Sequence, residues 1–105
     1  MSEIMKMKEL VAYQKQAIVS KTLVEKETGT VTLFAFDKDQ ALSEHTAPFD
    51  ALVQVIEGRA DIRIAGVPHL VGEGEMLVMP AHQSHALKAL TPFKMMLTMM
   101  RSENK

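Results

Sequence analysis

At 105 residues and 47% hydrophobic content, the chain has room for one domain with one core and is too apolar to be disordered. A formal net charge of −1 gives no basic footprint for nucleic acid and no polybasic signal for a membrane surface. No cysteine occurs, which excludes disulfides, thiolate nucleophiles and zinc knuckles. A small-molecule ligand and a second copy of the chain are the partners this balance leaves. The opening residues lack an uninterrupted apolar core of the signal-peptide kind, and no stretch approaches the ~20 apolar residues that span a bilayer. The cytoplasm is the expected location.

Taken in chain order, residues 3–16 read either as a short helix with Ile4, Met7 and Val11 on one side or as an edge strand. Residues 17–24 read as a strand. An edge strand needs covering, so residues 1–28 are expected to form an N-terminal edge segment that pairs with another subunit or folds across the body of residues 29–100. Residues 30–36 (Thr-Val-Thr-Leu-Phe-Ala-Phe) follow Gly29 and are rich in β-branched and aromatic types. Residues 51–56 (Ala-Leu-Val-Gln-Val-Ile) are apolar on nearly both faces, as a strand between layers requires. Residues 59–64 alternate strictly, with Ala60, Ile62 and Ile64 on one face and Arg59, Asp61 and Arg63 on the other.

Turn signals fall at short intervals: Gly29, the 37–40 cluster, Pro48, Glu57-Gly58, Gly66-Val67-Pro68, Gly72-Glu73-Gly74, Pro80 and Pro92. Many short strands so punctuated indicate a sandwich or barrel rather than alternating βα units. Nine methionines are present, and Met95, Met96, Met99 and Met100 share the run 93–100. Flexible and polarizable, they are expected to fill core gaps and line an adaptable pocket; copper binding would need a cluster of soft ligands that spacing alone does not reveal.

Two segments carry the candidate chemistry. The first runs from Leu42 to Gly58 and contains His45; the second runs from Gly74 to Leu87 and contains Pro80, His82 and His85. Together they resemble the two motifs of the cupin family, in its small single-domain conserved-barrel form, with residues 59–73 as the hairpin between them. The first motif reads His-x-His, three or four residues, Glu, six residues, Gly. Anchored on His45 and Gly58, it places Ala47 at the second histidine and Ala51 at the glutamate. The second reads Gly, five residues, Pro-x-Gly, two residues, His, three residues, Asn. Gly74, Pro80 and His85 match it, His82 stands at its glycine and Ala89 at its asparagine.

The resemblance implies an all-β fold, a double-stranded β-helix or jelly-roll of two antiparallel sheets around an apolar pocket, and a homodimer. It also implies a metal site held by the motif histidines and glutamate. Carried over residue by residue, only His45 and His85 remain of that set. A divalent ion (Mn, Fe, Ni, Zn or Cu) is therefore expected to be held weakly if at all, with His82 in its loop as a further ligand candidate. Asp50 and Gln54 neighbour the missing glutamate, but an odd strand offset turns a side chain to the other face unless a bulge intervenes.

Two readings follow for His45 and His85. In the first they contact a small molecule in a binding module. In the second they hold a metal, with one more ligand, in a cupin-type dioxygenase, isomerase or decarboxylase. Gly72-Glu73-Gly74 lacks the lysine and helix of a phosphate loop, and Ser20, Ser43 and Ser84 lack a nucleophile-elbow context. His69 is expected at a hairpin surface, and Glu44 and Asp50 as solvated carboxylates.

Overall fold

The computed structural model describes residues 2–101. Among these lie β1 (Ile18–Lys26), β2 (Gly29–Phe36), β3 (Ala41–His45), β4 (Phe49–Glu57), β5 (Arg59–Ile64), β6 (Val67–Gly72), β7 (Met76–Met79), β8 (His85–Ala89) and β9 (Phe93–Arg101). They form a five-stranded sheet in the order β1-β2-β9-β4-β7 and a four-stranded sheet in the order β3-β8-β5-β6. Every pairing is antiparallel. The crossovers between the sheets make this the expected two-sheet jelly-roll.

The period of two explains which residues enter the core. On β9, Phe93 and Met95 are buried, and Leu97 and Met99 pack against the same cluster. On β4 the inward set is Ala51, Val53 and Val55, and on β5 it is Ala60 and Ile62, with Ile64 partly buried. Phe36 and Phe93 pair across the ladder, stack at 4.6 Å between ring centroids, and fill one end of the barrel. Gly58 shows why its turn needs glycine. Its φ is +80°, and an added Cβ would lie 2.1 Å from the Pro92 carbonyl oxygen, so both the backbone conformation and the close approach exclude a side chain.

The N-terminal segment differs from both expectations. Residues 3–16 contain a single 3-10 turn at Met7–Glu9 and no strand. Of the three apolar residues assigned to one helix side, Val11 is buried while Ile4 and Met7 are exposed. The segment instead crosses the outer face of the five-stranded sheet. There Val11 packs with Leu33 and Ala35, flanked by Leu10, Tyr13, Ile56 and Met96. The Tyr13 hydroxyl donates to Glu57 at 2.5 Å. The Lys94 ammonium donates to the Lys8 carbonyl and lies 5.0 Å from the Tyr13 ring centroid. These tertiary ties, not helical periodicity, order the strap. The strand expected over 17–24 is present as the edge strand β1.

Candidate functional site

His45 and His85 come together, but not by simple alternation. Leu42 pairs with Leu87 and His45 with His85, so β3 spends three residues where β8 spends two. This bulge returns His45 to the inward face that Leu42 already occupies. The two rings then meet at 4.3 Å between centroids, edge to face. They stand at the wall of a cavity enclosing about 70 Å³, lined also by Leu42, Ala47, Phe49, Ala51, Met79, Leu87, Met95, Leu97 and Met99. His85 is 7% exposed, whereas His45 sits at the solvent side.

Each imidazole is fixed by a carbonyl two residues upstream. Ser43 O lies 2.7 Å from His45 Nδ1, and Gln83 O lies 3.3 Å from His85 Nδ1. A carbonyl only accepts, so each Nδ1 carries a proton, and in the neutral imidazole the Nε2 of each ring is left with the lone pair. Burial, followed by the charge of the neighbouring His45, lowers the His85 pKa; the Gln83 carbonyl opposes this in part. Near neutral pH His85 is therefore an acceptor or a ligand rather than a cation.

The remaining candidates do other things. His82 is exposed, does not line the cavity, and has φ 69°. It thus adopts the left-handed conformation for which the motif uses glycine, as Gly58 and Gly74 also do; histidine tolerates that region better than most side chains. The His82 amide donates to the Ala47 carbonyl at 2.9 Å. The Asp50 carboxylate accepts from the Ala81 amide at 2.9 Å, and Ser84 Oγ donates to Glu44 at 3.0 Å. Glu44 on β3 and Asp50 on β4 thus lace the 80–84 loop to the facing ends of these two strands and are more than solvated surface charges. Asp50 and Gln54 pair with Met100 and Met96 on the outer face, as parity requires. His69 is half-buried rather than a free surface group, paired with Ile62 in the ladder and bonded through Nδ1 to its carbonyl.

The donor set does not fit the divalent site of the family motif. Among the described residues no group of three or more His, Cys, Asp or Glu side chains is placed to hold a metal ion. Ala47 and Ala51 line the cavity where the motif would put a histidine and a glutamate. What stands beside Ala51 instead is sulfur. Met99 and Met79 flank it directly in the ladder, and all three face inward. Sequence alternation along 93–100 could have placed Met99 on the inner face; nothing in the sequence alone shows Met79 and Met99 standing on either side of Ala51.

The family model of AraC-like ligand-binding domains matches residues 28–103. The chain belongs to that cupin-type family. The cupin domain is 33% identical to a conserved protein of unknown function from Streptococcus pyogenes, covering 99% of this chain and 91% of that one with a TM-score of 0.93. It is 40% identical to a cupin 2 conserved barrel domain protein from Leptotrichia buccalis, over 90% of this chain but only 46% of that one, with a TM-score of 0.87. A cupin superfamily protein from Desulfitobacterium hafniense, 22% identical, shares the fold with a TM-score of 0.91 over 97% of this chain and 94% of its own. No curated protein matches the chain.

Proposed function

We propose that this cupin domain is a non-catalytic binding module whose cavity takes a small, largely apolar molecule bearing a hydroxyl or other donor. The observation that carries this is the His45–His85 pair, two rings 4.3 Å apart with Nδ1 occupied by backbone and Nε2 free. These are acceptors in an otherwise apolar cavity, the arrangement by which a few polar groups orient a ligand. The ligand-binding family to which the chain belongs supports the same reading. About 70 Å³ admits only a few heavy atoms as the walls stand, and the flexible Met79, Met95 and Met99 are the side chains able to yield to a larger one.

Phenol is a suitable probe. Saturable shifts of the His45 and His85 ring signals by NMR, lost in His45→Ala and His85→Ala, are expected. Absence of any perturbation at millimolar phenol counts against the module. Near-stoichiometric Mn, Fe, Ni or Zn in tag-free protein, lost in the same variants, would replace it with the metal-dependent enzyme reading.

The module acts in the cytoplasm as a homodimer on this proposal. One row of the outer sheet face runs Val24, Val31, Thr98, Leu52, Val78 from edge to edge, with Val24 and Val78 exposed. An uncharged row can oppose its own copy about a two-fold axis. Sedimentation should give a dimer that Val78→Lys converts to monomer; a wild-type monomer refutes the pairing.

A further inference from the structure

We propose that the histidine end of the cavity is a site for a soft monovalent cation, Cu(I), held by Nε2 of His45 and His85 together with the thioethers of Met79 and Met99. This rests on the reading that the cavity is the binding site, and adds to it a ligand class that the family motif does not provide.

Three observations converge. The first is geometric. Ala51 is flanked in the ladder by Met99 on β9 and Met79 on β7; directly opposed residues bring their Cβ atoms to about 4.5–5.5 Å. A glutamate at position 51 would fill the space between them. Alanine leaves that space to two long, unbranched side chains with polarizable sulfur. The second is the opposite wall, where the histidine pair presents Nε2 lone pairs whose tautomer is set by Ser43 O and Gln83 O. A backbone carbonyl behind the ligating imidazole is the usual support of a metal-bound histidine.

The third observation is charge. The residues lining the cavity include no carboxylate, so no donor brings a negative charge. A divalent ion would retain its full +2 in an apolar enclosure, which is costly, and hard ions prefer oxygen. A monovalent ion halves that charge. Imidazole and thioether are the soft donors that select Cu(I). The same substitutions that dismantle the divalent set therefore leave a set matched to a different ion.

The test is an anaerobic titration of tag-free protein with Cu(I) buffered by bicinchoninate, beside parallel Zn(II) and Mn(II) titrations. We expect one equivalent of Cu(I) in preference to either divalent ion. Met79→Leu with Met99→Leu, a change that conserves volume, should weaken binding by roughly tenfold or more, as loss of metal-site groups does. Met76→Leu, which alters an exposed thioether at the start of β7, should leave it unchanged. X-ray absorption should show sulfur scattering on copper that vanishes in the double variant. Should the double variant unfold, Met99→Leu alone provides the comparison. Undiminished affinity in the methionine variants overturns the proposal, as does preference for Zn(II). Cu(I) and phenol use the same Nε2 lone pairs and should compete. Phenol binding without Cu(I) uptake would overturn the cation site while leaving the ligand cavity standing.

Discussion

The two ends of the barrel are built from the same strands and serve opposite ends. At one, Phe36 and Phe93 are fully buried and stacked, and the strap closes the outer face above them through Tyr13, Glu57 and Lys94. At the other, reached by following β9 from Phe93 to Met99, the inward residues become Ala51, Met79 and Met99 beside two histidines. Rigid aromatic rings make the first end solid, whereas alanine and methionine leave the second hollow and deformable. Tight packing and an open cavity are thereby separated along a single strand.

The largest effect should come from opening the solid end. Phe93→Ala is expected to cost about 3–5 kcal/mol in chemical denaturation; a loss under about 1 kcal/mol would show that this end is not the anchor of the core. Next, Ala51→Glu restores the motif carboxylate to a buried position. Without metal it should cost about 1–3 kcal/mol. Zn(II) should then raise the midpoint of thermal unfolding of this variant and not of the wild type, because three donors replace two. An equal Zn(II) response in both proteins would contradict the account of the missing ligands. Met99→Leu at the hollow end should be mild, below about 1.5 kcal/mol by the same denaturation assay.

The smallest and most telling contrast is in pH. At the solid end, burial first, then the hydrogen bond to Glu57 and its charge, raise the Tyr13 pKa. Its contribution is complete below the ordinary tyrosine value near 10 and is lost as pH rises, when the unfolded chain ionises first. At the hollow end, the His85 pKa is lowered. That contribution is complete above the ordinary imidazole value near 6.5 and is lost as pH falls, because the unfolded chain takes up the proton first. Stability curves of Tyr13→Phe and His85→Gln should therefore diverge from wild type on opposite sides of neutrality. Divergence on the same side would break the pairing of these shifts with the two ends.

Much of this was legible before the structure. Alternation in 59–64 and the β-rich runs at 30–36 and 51–56 mark strands because a half-buried ladder imposes that period. The motif spacing brings His45 and His85 to one pocket, and the alanines at 47 and 51 announce the missing donors. Three things were not legible. The bulge in β3 depends on pairing with β8, a relation between residues distant in sequence. The strap over Leu33 and Ala35 is ordered by contacts with the sheet and carries no period of its own. The placing of Met79 and Met99 on either side of Ala51 requires the strand order β9-β4-β7, which no local pattern encodes.

The carbonyl tie behind each histidine has a wider consequence. His45 is oriented by Ser43 and His85 by Gln83, each from its own stretch of backbone rather than from the far wall. Presentation of the pair is thus a local property, insulated from whatever side chains line the rest of the chamber. Walls can be exchanged, glutamate for alanine or thioether for carboxylate, while two oriented nitrogens persist as a fixed fitting. Such an arrangement lets the character of the chamber change by altering residues other than the histidines' own supports.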